Sequence, residues 1–255
     1  MMNIIRADIY RITRNGGIYV NFIAAAFSGA TLIIMLALFG QDEYFVLNGI
    51  SGSRELFELS VFAVIFVLPI FTIVTAPVFR DGTAKNEVTW GTSRTTLYVA
   101  RLLIVTVLCI LMRAILIGFG MLTATIIGEG LGDTSGGFWA EFFLIFGTQL
   151  FLFIAVSWVG VFLVFTIKNG FVVIEVFLGL MFAPTLLMQM LEQLNVNPSI
   201  VSFISNFDIA TGITQLANLG NLETREILLI LALGVFWMAM PTVIGLLKFQ
   251  KAEIR

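Results

Sequence analysis

The side chains that most often do chemistry in proteins are scarce in this sequence. Histidine, the commonest general base and metal ligand, is absent from its 255 residues. The single cysteine, Cys109, lies inside an apolar run, which excludes an intrachain disulfide and a zinc cluster. The acidic residues are scattered over connecting segments instead of clustering at one point. We therefore expect no catalytic residue, no metal ligand and no cofactor in this chain, and no enzyme activity of its own.

The one sizeable polar segment rich in lysine and arginine runs from Phe79 to Arg101. It holds four of the fourteen basic residues and two acidic ones, and it joins two long apolar runs. The charged residues are Arg80, Asp81, Lys85, Glu87, Arg94 and Arg101. A segment of this kind predicts a loop that docks a partner protein.

The composition indicates what kind of structural elements flank this loop. Hydrophobic residues make up 59% of the chain, charged residues only 12%, and the mean hydropathy is +1.02. Soluble domains have about 25% charged residues. The sequence therefore predicts an all-α membrane protein, a single transmembrane domain over residues 1–255. With about 20 apolar residues needed for each crossing, six helices fit.

Six apolar runs give the positions of these spans. They cover about residues 18–39, 56–79, 97–127, 138–167, 171–191 and 227–247. In the second span, Pro69 or Pro77 is expected to produce a kink. At the start of the third span, Arg101 is expected to snorkel into the headgroup region.

The first span carries small residues at four-residue spacing, which lets two helices approach closely. They are Ala25, Ala26, Gly29 and Ala30. We expect this face to pack against another helix near a boundary between subunits.

Two further segments lie outside the spans. Residues 1–15 predict an amphipathic helix on the membrane surface, although a charged flank that orients the first span is an alternative. Residues 192–226 predict one or two short outer helices, partly embedded, and Asn197 followed by Pro198 is typical of a helix start.

The basic residues are distributed unevenly over this topology. Eleven of the fourteen fall on one side, in the N-terminal segment, the loop, Lys168 and the C-terminal segment. Only Arg54 and Arg225 fall on the other side, and Arg113 lies within a span. By the positive-inside rule, both termini and the loop are expected in the cytoplasm, with the protein in the cell membrane.

The loop also carries a pattern of residues found in a known family. Asp81-Gly82-Thr83-Ala84-Lys85-Asn86, then Gly91-Thr92-Ser93-Arg94, then Arg101 resembles the segment after the second span in ABC-2 type transporter permeases. The likeness is greatest to small six-span permeases of Gram-positive bacteria. Many relatives have proline where Gly91 stands and lysine where Arg101 stands.

The resemblance implies that residues 80–96 contain a cytoplasmic coupling helix that meets an ABC-type ATPase. The residues expected to couple to that ATPase are Gly82, Thr83, Glu87, Trp90, Gly91 and Arg94. Helical spacing places Thr83, Glu87 and Trp90 on one face, and Trp90 could fill a pocket of the partner. The alternative is a solvated loop whose tryptophan rests in the headgroups.

No phosphate-binding loop of the form Gly-x-x-x-x-Gly-Lys-Ser/Thr occurs in the sequence. If the chain belongs to an ABC transporter, ATP and Mg²⁺ must therefore be bound by a separate ATPase chain. A second permease copy or a homologous permease would complete the pathway, and the lipid bilayer is the remaining partner. No nucleic acid is expected.

Two charges fall inside predicted spans, where a charge is costly unless it faces protein or water. Arg113 lies roughly 18 Å beyond Arg101 along the third span, and Glu175 roughly 9 Å beyond the turn at Lys168. Two arrangements are compatible with the sequence: a direct ion pair between the two side chains, or separate burial of each.

The membrane subunit of an ATP-driven exporter is the function that these features favour. Its substrate would be amphipathic or hydrophobic, such as an antimicrobial peptide, a drug or a lipid-like molecule. One alternative is a non-transporting membrane immunity or interaction protein that sequesters a peptide. A lipid-modifying membrane enzyme is less favoured, because it would need clustered carboxylates or histidines at a bilayer face.

Overall fold

Helices account for nearly all of the described chain, because long apolar runs in lipid must satisfy their backbone hydrogen bonds internally. The computed structural model describes residues 2–39, 46–80, 82–134, 136–194 and 196–251, without the side chains of Asn3, Arg80, Thr83 and Ala84. Asp81 and Arg255 therefore lie outside the described residues. Within these ranges no β-strand occurs.

Eleven α-helices and two 3-10 segments follow one another along the described residues. They are α1 (Met2–Thr13), α2 (Gly16–Phe39), α3 (Gly49–Glu58), the 3-10 segment Leu59–Phe66, α4 (Val67–Arg80), α5 (Thr83–Thr89), α6 (Arg94–Ile127), α7 (Phe138–Ile167), α8 (Gly170–Gln193), α9 (Pro198–Phe207), α10 (Ile209–Gln215), the 3-10 segment Leu216–Asn221 and α11 (Thr224–Lys251).

Six stretches of the described chain are long and apolar enough to cross a membrane. They are α2, the composite stretch Gly49–Phe79, α6, α7, α8 and α11. Their order confirms the prediction of an all-α membrane protein with six transmembrane helices. The fourth span, α7, is the most buried within the chain, whereas the first, fifth and sixth have largely exposed surfaces.

The second span is interrupted by its 3-10 segment. Leu59–Phe66 lies immediately before α4, whose third residue is Pro69, and Pro77 lies inside α4 without breaking it. Pro69 has no N–H to donate and its ring would clash with the carbonyl four residues earlier, so a regular helix cannot continue through this point. The side-chain amide of Asn21 in α2 donates to the carbonyl of Phe66 at 3.1 Å.

The first and third spans approach each other very closely. Ala25 and Gly29 are buried, and a Cβ atom on Gly29 would lie 2.3 Å from the backbone carbonyl oxygen of Leu116. The small-residue face of α2 is therefore a packing face, as predicted. Its partner is α6 of the same chain, so this part of the face is not available for a boundary between subunits.

The contacts between helix termini show which of them lie together at each end of the bundle. At one end, which we call the basic end, α1 packs near α6 and the start of α6 reaches the C-terminal turn of α11. At the opposite end, Gly49 N–H donates to the carbonyl of Gly130 at 2.9 Å.

The predicted short helices between the fifth and sixth spans are present at that opposite end. Asn197 caps α9 through the N–H of Ser199, and Pro198 is the first helical residue, as the sequence indicates. None of the residues of α9 is buried, whereas α10 buries Ile209, Ala210, Gly212 and Ile213 against the bundle.

Replacement of Gly29 by alanine tests the close contact between α2 and α6. We expect Gly29→Ala to lower the free energy of unfolding by about 1–3 kcal/mol, because the added methyl group meets rigid backbone. Gly118→Ala in α6 is the matched control, since a methyl group added there would meet no neighbouring atom within 4 Å. Thermal unfolding of the two variants in detergent gives the comparison, and equal stability would contradict the packing described.

Candidate functional site

The loop of the basic end folds into a short helix held between two glycines. Gly82 has φ of 65° before α5, and Gly91 has φ of 86° after it. Both values lie in the left-handed region, which glycine adopts without steric cost. Ser93 then caps α6 by accepting a hydrogen bond from the N–H of Thr96. The short helix expected within residues 80–96 is therefore present, as α5.

Trp90, at the end of α5, is the most exposed large apolar side chain of the described chain, with 89% of its surface accessible. An indole is a frequent anchor of protein interfaces, because it buries a large apolar area and its N–H can be hydrogen-bonded. Its position at the basic end, directly after α5, makes it a candidate contact for a partner.

Glu87 is placed differently from the sequence interpretation. It is half-buried and accepts hydrogen bonds from Nη2 of Arg101 at 3.3 and 3.4 Å. It therefore does not share the exposure of Trp90, because its carboxylate is turned toward the third span. The side chain of Thr83, the third residue of the predicted face, is outside the described residues.

Arg101 is fully buried and is held by a second carboxylate. Its Nη1 forms an ion pair with Asp8 of α1, and the other oxygen of Asp8 lies 3.1 Å from Nη2 of Arg11. Arg11 also donates to the carbonyl of Val74 in α4 at 2.8 Å. We call Asp8, Arg11, Glu87 and Arg101 the ion-pair cluster.

The ion-pair cluster joins four helices, α1, α4, α5 and α6, at the basic end. Its two cations and two carboxylates balance in charge, which offsets the cost of removing each from water. Burial raises the pKa of Glu87 above its usual range, and the nearby charge of Arg11 opposes that rise. Loss of Arg101 would leave Glu87 without the cation that it contacts.

Arg101 does not snorkel into the headgroups as predicted, because Asp8 and Glu87 bind it inside the protein. Sequence reasoning missed Asp8. The signal was present, since Asp8 lies four residues after Ile4 and four before Ile12, and all three are buried. An acid within an apolar helical stripe marks a carboxylate that faces protein, and it needs a cation nearby.

Arg94 is also engaged within the chain. Its Nη1 donates to the carbonyls of Phe249 and Gln250 at 2.9 and 2.7 Å, and these belong to the last turns of α11. A cation there compensates the unsatisfied carbonyls and the negative end of the helix dipole. Arg94 therefore ties the end of the loop to the sixth span, and its guanidinium is not free for a partner in this conformation.

A second polar group lies inside the bundle. Arg113 is fully buried, and its Nη2 donates to the hydroxyl of Ser60 at 2.5 Å and to Oε1 of Gln149 at 2.6 Å. The ring of Phe153 lies 4.6 Å from the guanidinium carbon. Nε and Nη1 of Arg113 have no hydrogen-bond partner among the described residues. We call Ser60, Arg113 and Gln149 the membrane polar cluster.

Gln149 connects the membrane polar cluster to the broken second span and to α10. Its Nε2 donates to the carbonyl of Phe57 at 2.9 Å and to that of Ile213 at 2.8 Å. Gln149 is therefore an interhelical hydrogen-bond donor. These bonds also hold the outer helix α10 against the middle of α7.

Glu175 does not pair with Arg113. It lies on the exposed surface of α8 and makes no ion pair within the described part of the chain. It is six residues into the helix, whereas Arg113 faces Ser60 and Gln149 in the interior. Of the two alternatives left open, the ion pair is absent from the structure.

The fold defines the class of protein to which the chain belongs, an all-α membrane protein with six candidate spans. No known protein-family model matches the sequence, and no curated protein is significantly similar to it. Within the described residues, no group of three or more histidine, cysteine or acidic side chains could hold a metal ion. Function must therefore be inferred from the geometry of the loop, the ion-pair cluster and the membrane polar cluster.

Replacement of Arg101 tests the ion-pair cluster. We expect Arg101→Gln to speed amide hydrogen exchange in both α1 and α5 by at least about tenfold, because Asp8 and Glu87 lose their shared counter-charge. Arg14→Gln is the control, since Arg14 contacts only the ring of Tyr10 among the described interactions. Faster exchange in one of the two helices alone would show that Arg101 does not join them.

Two substitutions in the membrane polar cluster should differ sharply in their effect. Gln149→Leu should lower the free energy of unfolding by about 3 kcal/mol or more, because it leaves Arg113 charged and deprives it of an acceptor. Arg113→Met removes the charge itself and should change it by no more than about 1 kcal/mol.

The control for this pair is Thr148→Val in α7, whose hydroxyl bonds only to carbonyls of its own helix. Chemical unfolding in mixed detergent gives the three free energies. An Arg113→Met variant as unstable as Gln149→Leu would contradict the asymmetry.

Proposed function

We propose that this chain is the membrane-spanning permease subunit of an ATP-driven ABC exporter. The observation that carries the proposal is Trp90, an exposed indole on a short helix whose other side is fixed to the membrane domain through Glu87 and Arg101. An exposed anchor on a tethered helix is what a coupling element requires, because it must bind a partner and transmit its movement. A separate ATPase chain would bind ATP and Mg²⁺.

The ion-pair cluster supports this proposal through the elements it connects. A displacement of α5 by the ATPase would act on Arg101, and so on the third span directly. It would also act on α1 through Asp8. In α1, Met2, Ile9 and Tyr10 are exposed beside the buried face, so this helix has apolar surface to place in the membrane interface.

The surface of α8 supports a second permease copy or a homologous permease. Glu175 is exposed on that surface among apolar side chains such as Phe171 and Val176. A charge facing lipid is costly, whereas a charge facing a water-filled pathway or another subunit is not. The exported substrate would then be amphipathic or hydrophobic, and it would pass along the surface between two copies.

The proposed orientation follows from the charges of the basic end. Lys85, Lys168 and Lys248 all belong to it, together with the loop, α1 and the last turns of α11. We place this end in the cytoplasm and the protein in the cell membrane, since short cytoplasmic loops carry an excess of basic residues. The same orientation presents Trp90 to a cytoplasmic ATPase.

Photo-crosslinking from position 90 tests the proposed docking. With p-benzoylphenylalanine in place of Trp90, ultraviolet light should join the chain to a protein that carries a phosphate-loop motif, identified by mass spectrometry. The same photo-reactive residue in place of Phe27, which is 69% exposed in the middle of the first span, should not. Separately, Trp90→Ala should reduce the ATPase activity that co-purifies by at least about tenfold, as for interface anchors.

An adduct formed only with lipid would assign Trp90 to the headgroup region, and it would remove the basis of the proposal. The same conclusion would follow if Trp90→Ala retained all of the co-purifying ATPase activity at equal expression.

A further inference from the structure

A cavity of about 450 Å³ lies at the end of the bundle opposite the loop, between α11 and the outer helices α9 and α10. Its apolar wall includes Phe207, Leu229 and Phe236, which are 49%, 60% and 45% exposed. Because Leu229 and Phe236 belong to the sixth span, the cavity is open to the lipid-facing surface of that helix. Its volume falls in the range that holds drug-sized ligands.

The polar wall of this cavity carries negative charge. Asp208 and Glu226 both line it, and its described lining includes no basic side chain. Asp208 is only 3% exposed. It accepts hydrogen bonds from the N–H groups of Ala210 and Thr211 and from the hydroxyls of Thr211 and Thr185. All four donors are neutral.

Asp208 therefore lacks a counter-ion among the described residues. It caps the N-terminus of α10, and a helix N-terminus supplies only about half a positive charge. Glu226 lies in the first turn of α11 and accepts from the N–H of Glu223 at 2.9 Å. The two carboxylates thus leave net negative charge beside aromatic rings, an arrangement that attracts an organic cation.

We propose that this cavity is a binding site for a lipophilic monocation, a molecule with one permanent positive charge and an apolar or aromatic body. The charge would lie between Asp208 and Glu226, and the apolar body would pack on Phe207, Leu229 and Phe236. The site does not depend on the ATPase partnership proposed above, because it is formed by this chain alone.

Tetraphenylphosphonium is a suitable probe, and tetraphenylborate is its counterpart of the same shape and opposite charge. We expect the purified chain in neutral maltoside detergent to bind the cation saturably and the anion at least about tenfold more weakly. Glu226→Gln keeps an acceptor for the N–H of Glu223 and removes the charge. It should weaken cation binding at least about fivefold.

Asp208→Asn should have an effect in the same direction, because asparagine also caps a helix N-terminus and carries no charge. Leu229→Trp should block the cavity and abolish saturable binding. Leu228→Trp is its matched control, since Leu228 is 61% exposed on the same helix and does not line the cavity. Leu228→Trp should bind the cation as the unmodified chain does.

Phosphatidylethanolamine is added to the bound probe as a competitor, because its headgroup carries both an ammonium group and a phosphate and has no net charge. Retention of the probe is expected. Displacement would show that the site takes a zwitterionic lipid headgroup, and it would overturn the assignment to a monocation. Equal affinity for the cation and the anion would overturn the proposal, as would unchanged cation binding in both Glu226→Gln and Leu229→Trp. Either result would show that the two carboxylates act only as helix caps.

Discussion

A guanidinium group that is removed from water must be bound by the protein, and two such groups on one helix organise this structure. Arg101 and Arg113 are both fully buried, twelve residues apart on α6, or about 18 Å along its axis. Arg101 binds α1 through the carboxylate of Asp8 and α5 through the carboxylate of Glu87. Arg113 binds the broken second span through Ser60 and α7 through Gln149. Breaking either set would leave a buried guanidinium group without its acceptors, so separating these elements from α6 is energetically costly.

This arrangement gives the third span a mechanical role in the proposed exporter. A force on α5 reaches α6 through Glu87 and Arg101 at the basic end. The same helix contacts Gln149 through Arg113, and Gln149 holds the carbonyl of Ile213 in α10. A movement of α6 would therefore displace α10 at the opposite end of the bundle, because these contacts connect the two helices without an intervening loop. The close contact of Gly29 with α6 makes the first span part of the same unit.

The architecture could be predicted from the sequence, because the length and apolarity of each run decide whether it spans a membrane. The short helix α5 was also predictable, since Gly82 and Gly91 set its limits. The direction of Glu87 was not, because a seven-residue helix can turn either face inward and the choice depends on Arg101 and Asp8. The partner of Arg113 was not predictable either. The sequence gives the depth of a residue along its own span, whereas the packing of separate spans decides that Arg113 contacts Ser60 and not Glu175.

Two groups of charged side chains in the described chain suggest different roles. In the ion-pair cluster, each buried charge has an opposite charge beside it, which suits a permanent joint between helices. Arg113, Glu175 and Asp208 have no opposite charge beside them within the described residues, although neutral donors or acceptors hold two of the three. A charge kept without its counter-ion is costly in an apolar setting unless something outside the chain compensates it. For Glu175 and Asp208, which face an exposed surface and a cavity, a second subunit and a cationic ligand respectively would supply that compensation.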